Sequence, residues 1–202
     1  ALAGCFGRSK TPYLVEQYTP EYPPPVVEGF SWLNESIKVE RFSIDRSFDG
    51  KAMVYKPQEY KLAAYNYHRW MVSPNDLVTD YLQRDLLKTG IFQAVFSYRD
   101  SVKTRFLIEG AIEEFMELSQ DSRAASLILN VTLLDTEQKA ITQKVVFQKR
   151  YRFREPLKEH SPGEFARGMS INMSRFSEQL VKDIHAAVKE RVQNEVQPPA
   201  NR

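Results

Sequence analysis

The chain has 202 residues, enough for one domain or at most two small ones. Its 28 basic and 26 acidic residues leave a formal charge of only +2, a field too weak for a nucleic-acid binder driven by bulk charge. No run approaches the ~18 apolar residues of a membrane-spanning helix, and one cysteine forbids an internal disulfide.

The first five residues, Ala1-Leu2-Ala3-Gly4-Cys5, carry the residue order of a bacterial lipobox. Small side chains ahead of a cut suit a signal peptidase, and the Cys5 thiol is a nucleophile able to carry a diacylglyceryl group. The plain alternative is an incidental or buried thiol. On the lipobox reading, residues 1–4 are a signal-peptide remnant and Cys5 is the lipidated residue. By resemblance to enterobacterial lipoproteins, in which Asp after the cysteine favours inner-membrane retention, Phe6 at that place implies the outer membrane. Residues 5–29 contain Pro12, Pro20 and Pro23-Pro24-Pro25, so they are expected to form an extended Pro-rich tether. Tyr13-Leu14-Val15 could add a short edge strand.

A single body is expected over 30–192. Ile37–Ile44 is apolar but shifts phase between Val39 and Phe42, which marks a bulge or a frayed strand. Ala52–Lys56 and Tyr60–Tyr65 read as strands, with Pro57 between them. Ser73-Pro74-Asn75-Asp76 opens a helix and Gly90 closes it, with Val78, Tyr81, Leu82 and Leu86 on one stripe. Ile91–Tyr98 returns as a strand. Three long strands follow: one around Phe106, Ile108 and Ile112, one around Leu127, Leu129 and Val131, and one over Ile141–Arg154. Their period-two alternation predicts an antiparallel meander with one covered face. Ser161-Pro162-Gly163-Glu164 then starts a long helix with an apolar stripe from Phe165 to Val188. The predicted class is α+β, a mostly antiparallel mixed sheet with two helices packed on one face. A disordered tail is expected at 193–202.

Tyr65-Asn66-Tyr67-His68-Arg69-Trp70 is the densest aromatic stretch. Tyr65, Tyr67, His68, Arg69 and Trp70 are of the types that anchor partners or lipid surfaces. They equally suit a packed strand end that feeds the following helix. The row Lys144, Gln148, Arg150, Arg152, Arg154 could meet lipid phosphates or an acidic partner, or form a solvated face balanced by Glu109, Glu113 and Glu117. No phosphate-cradling loop or G-x-S-x-G elbow is present. His68, His160 and His185 lack metal-ligand spacing. No catalytic residue, metal or cofactor is therefore expected. A cleft joining His68 or His160 to a serine and a carboxylate would instead raise the case for a periplasmic hydrolase.

The order of these elements resembles the ABC-type transport auxiliary lipoproteins. The resemblance rests on the lipobox Leu2–Cys5, Tyr13-Leu14-Val15 before the prolines, Met53-Val54-Tyr55-Lys56, the Arg69-Trp70 pair, the Pro-headed helix and the exit Thr89-Gly90-Ile91-Phe92. Met71-Val72 depart from the small residue and acid often found after the pair. Membership implies a periplasmic, lipid-anchored and non-catalytic accessory that works with an ABC permease and ATPase and a mammalian-cell-entry-domain protein to move lipid. It also implies a homo-oligomer and no nucleic-acid partner. The alternative class is an envelope assembly or structural lipoprotein that binds other proteins or cell wall.

Overall fold

The computed structural model describes residues 13–119 and 123–196. Its elements are β1 (Glu16–Tyr18), β2 (Leu33–Val39), β3 (Ser43–Ile44), β4 (Ala52–Gln58), β5 (Lys61–Trp70), α1 (Pro74–Thr89), β6 (Phe92–Ser97), β7 (Phe106–Leu118), β8 (Ala124–Asp135), α2 (Ile141–Lys144), β9 (Val145–Pro156) and α3 (Pro162–Val196). The strands form one nine-stranded sheet.

The long strand β7 organises that sheet. One edge of β7 takes β8 and then β9, both antiparallel, as the alternation predicts. The other edge takes β2, β3 and β4 in succession, all parallel to it. Beyond β2 the sheet continues to β6, and beyond β4 it continues to β5 and β1. Five of the eight strand pairings are parallel, so the expected mostly antiparallel sheet is corrected to a mixed and forked one. Alternation records the face a residue takes, not the direction of the strand beside it. The N-terminal strands therefore carried no sign of their parallel neighbours.

The fork has local causes. After Val39 the ladder lapses and the Phe42 N–H donates to Thr79 Oγ1 on α1, at 3.0 Å. A short 3₁₀ turn at Arg46–Phe48, capped by Asp45, separates β3 from β4. The Phe42 ring lies directly over Gly110. A Cβ at Gly110 would stand 2.2 Å from Phe42 Cε2, so only glycine lets the ring close on β7. Pro57 falls inside β4, where the pairing with β5 shifts register, and β5 continues to Trp70. The third long strand begins later than expected, because Ile141–Lys144 make one helical turn.

Helices α1 and α3 pack on one face and share one core. Gly90 ends α1 in the left-handed conformation, φ 63°. The stripe Phe165, Met169, Met173, Phe176, Leu180 and Ile184 of α3 is buried throughout. Ser161 Oγ accepts the Glu164 N–H, while Glu164 itself accepts from the Lys158 N–H rather than from the cap residue. Helix α3 runs to Val196, past the expected end of the body at 192. Gly168 allows α3 to close on β8, since a Cβ there would meet Leu157 Cδ2 at 2.6 Å and Ala125 Cβ at 2.8 Å.

The described part of the Pro-rich stretch lies on the body. β1 pairs with β5, and the Met71 N–H donates to Tyr18 O. Tyr81 O–H donates to Pro20 O, and the Glu21 N–H donates to Ser170 Oγ at 2.9 Å. Tyr22 O–H reaches the buried Asp85 at 2.9 Å, which also takes the Ser177 hydroxyl at 2.5 Å. The segment therefore straps α1 to α3. Phe30 stacks on His185, and His185 Nε2 lies 2.9 Å from Ser31 O, which fixes the end of the strap.

Candidate functional site

Strand β5 divides the predicted contact residues between the core and the surface. Trp70 is completely buried, edge-on to Phe115 and Phe165; its backbone N–H donates to Lys51 O, while its buried indole N–H has no partner among the described residues. It is a core residue that joins β5 to β7 and α3. Tyr67 faces outward, stacked on Tyr13 at 4.5 Å between ring centres. Arg69 is exposed at the β1 edge, opposite Gln17 in register.

Tyr65 and His68 belong to a ring cluster with Tyr18, Tyr55 and His160. His160 stacks on Tyr65 at 5.0 Å and meets Tyr55 edge-on at 4.9 Å. His68 packs edge-on to Tyr65, and its Nδ1 lies 3.3 Å from both Tyr18 Oη and Glu16 Oε2. Tyr18 donates to Glu16 at 2.6 Å, and this bond to a carboxylate pushes its phenol up to about 12.

Beneath the rings lies Glu117, a fully buried carboxylate. Tyr65 O–H donates to it at 2.7 Å, Ser119 O–H at 3.0 Å, and His160 Nδ1 stands 2.6 Å away. Three donors on one carboxylate satisfy most of its acceptor capacity. Burial and the bond to Glu117 raise the Tyr65 phenol well above its ordinary range. Sequence reading placed Glu117 on the outer acidic row, and the structure corrects that. β7 bulges between Ile112 and Glu114, which shifts the alternation by one residue. The signal was visible in Glu113-Glu114, two acids between Ile112 and Phe115 where strict alternation allows one. Glu113 does stay outside, where Arg150 Nε donates to it at 2.8 Å. At that position the basic row of β9 is balanced.

Ser119, His160 and Glu117 thus come together, the grouping that would mark a hydrolase. The geometry is not that of a nucleophile relay. Ser119 Oγ lies 3.4 Å from His160 Nδ1, the same nitrogen that meets the carboxylate, and its proton already goes to Glu117. A base needs one nitrogen for the carboxylate and the other for the nucleophile. The cluster is a carboxylate clamp that ties the loop before α3 to β5 and β7. No group of three or more His, Cys, Asp or Glu suited to a metal occurs among the described residues. Cys5 lies outside the described residues.

Comparison with known proteins follows the same lines. A search of curated proteins finds no match. Among solved structures, protein XCC0632 from Xanthomonas campestris, of the DUF330 family, superposes with a TM-score of 0.77 at 18% identity, over 88% of this chain and 99% of that one. The hypothetical protein CT253 from Chlamydia trachomatis superposes at 0.52 with 8% identity, over 77% of this chain and 98% of that one. At such identities the likeness concerns the fold. The family model of the ABC-type transport auxiliary lipoprotein component matches residues 20–181, from the strap well into α3. The chain belongs to the ABC-type transport auxiliary lipoprotein family.

Proposed function

We propose that this protein is a periplasmic lipoprotein, held through Cys5 to the outer membrane, that serves as a non-catalytic accessory of an ABC transport system moving lipid with a mammalian-cell-entry-domain protein. The observation that carries this reading is the family match over residues 20–181, with the lipobox order Leu2–Cys5 ahead of it. Supporting it, the Ser119–His160–Glu117 grouping lacks a relay. Two or three acyl chains on Cys5 would make attachment lasting, since each buried CH₂ contributes about 0.8 kcal/mol. The accessory works as a homo-oligomer beside the permease and ATPase.

Two measurements test this. Cells grown with labelled fatty acid label the wild-type protein and not Cys5→Ser; labelling that survives the substitution removes the anchor. Mild crosslinking of the wild-type protein captures an ABC permease and a mammalian-cell-entry-domain protein. Their absence from the captured material would refute the transport role.

A further inference from the structure

The turn between β4 and β5 holds a residue that folding does not favour. Gln58 pairs with Lys61, so Glu59 and Tyr60 form a two-residue hairpin turn. Tyr60 sits there at φ 58°, and no other described residue apart from glycine has positive φ. A turn that needs positive φ at its second central residue favours Gly or Asn, because in the left-handed conformation Cβ crowds the adjacent carbonyl oxygen. Tyr60 also buries nothing, being 100% exposed. A large ring thus stands at a strained backbone position while burying no surface inside the chain. Outliers of this kind point to function.

Its surroundings say what the contact is. Leu62, two residues on, is 46% exposed. Strand β1 runs parallel to β5, with Glu16 beside His68 and Tyr18 beside Trp70. Going back from Glu16 therefore leads along β5 toward Lys61 and the turn. On that path lie Val15, Leu14 and Tyr13, all exposed, Leu14 at 84%. Eight residue steps separate Cys5 from Tyr13, a reach of at most about 30 Å when fully extended. Exposed tyrosine and leucine side chains along one edge of a sheet suit the boundary between lipid and water. Glu59 offsets Lys61 at the tip, so charge has little part in the contact.

We infer that this side of the sheet, from the β4–β5 turn along the β1–β5 edge, docks on a bilayer: Tyr60 and Leu62 near the turn, with Leu14 and Tyr13 farther along the edge beside Tyr67, rest at a phospholipid surface when the chain is held at Cys5. The inference rests on the anchoring part of the proposed function. Anchoring then fixes the orientation as well as the location of the body. The opposite end of the sheet, where Phe106 meets Asp135 and α2 begins, faces away from that membrane.

The test uses the full chain, coupled through its single thiol to a maleimide-bearing phospholipid in vesicles of phosphatidylethanolamine and phosphatidylglycerol. Chemical coupling works whether or not cells acylate Cys5, so failure of the anchoring reading and failure of the docking edge give different results. With Trp32→Phe, the buried Trp70 is the remaining native indole. Leu62→Trp then reports from the docking edge and Ile141→Trp from the far end. Brominated acyl chains should quench the Leu62→Trp reporter, equally at low and high salt, and leave the Ile141→Trp reporter bright. Tyr60→Asn should weaken that quenching while the melting temperature holds or rises. An unquenched Leu62→Trp reporter, or equal quenching at both ends, overturns the inference. So does a Leu62→Trp reporter that is shielded only as sedimentation shows the chain pairing with itself, which would make the edge a contact between copies.

Discussion

The two halves of this sheet bury their residues in different ways. In β7–β9 with α3, long antiparallel ladders, each shifted in register at one place, carry residues from the core face to the solvent face. In β1–β6 with α1, the strands are short, mostly parallel and interrupted, and the exposed aromatic residues and the turn with positive φ are found there. The contrast teaches where sequence is free to serve something other than packing. A long ladder leaves few positions to spare. The forked half holds its shape through a few tight contacts and leaves its edge available.

If the halves form one cooperative unit, the largest effect will come from the residue that joins them. Trp70 touches Phe115 of β7 and Phe165 of α3 from the end of β5. Trp70→Ala should cost about 3–5 kcal/mol and shift one denaturant transition without splitting it. A biphasic unfolding curve would show that the forked half melts alone. Next comes the fork itself. Gly110→Ala drives a methyl group into the Phe42 ring, and an overpacked core of this kind costs about 1–3 kcal/mol. In the double variant Gly110→Ala with Phe42→Ala, the added methyl should cost much less than it does beneath the intact ring. Additive losses would mean that this ring contact does not control the fork.

Legibility follows the same division. Residues with unbroken periodicity, such as Phe165 to Val188 in α3 or Leu127 to Leu133 in β8, disclose their burial through spacing alone. The Ser73-Pro74 start and Gly90 stop of α1 were equally plain, because capping is local chemistry. What stayed hidden depends on partners distant in sequence. Nothing in Glu16–Tyr18 reveals a parallel partner at His68–Trp70. The described prolines, from Pro20 to Pro25, follow α1 and α3 through hydrogen bonds from Tyr81, Glu21 and Tyr22 that no local rule supplies. Tyr65, Tyr67, His68, Arg69 and Trp70 formed one aromatic stretch in sequence, yet the chain sends Trp70 inward and Tyr67 outward. Glu117 was misplaced by a single bulge.

The clamp around Glu117, which ties β7 to Tyr65 of the forked half, tests a smaller effect. Glu117→Gln keeps the shape but gives three donors a weaker acceptor and adds an amide donor beside them. The expected loss is about 1–3 kcal/mol. Arg150→Ala, on the solvent face of the meander, removes an exposed ion pair to Glu113 and should cost less than about 1 kcal/mol. Denaturant midpoints of the two variants compare the inner and outer acids directly. Equal losses would deny that the bulge has given Glu117 a special place.

The smallest effect should appear only through pH, at the start of α3. Hydrogen bonds from Arg167 and then from the Lys158 N–H hold Glu164 down at about 2, against an ordinary value of 4.5. A carboxyl whose folded value is depressed contributes stability above its unfolded value and loses it as pH falls through its folded value. Glu164→Gln should therefore be less stable than wild type at pH 7, by up to about 1 kcal/mol for a half-buried carboxylate paired with the partly exposed Arg167. The gap should narrow from about pH 4.5 and close near pH 2. Thermal melts of both proteins along that series read the difference. A gap that stays constant down to pH 2 would mean that the glutamine change acts through packing or capping rather than charge. The start of α3 would then be held by shape, as the rest of the meander half is.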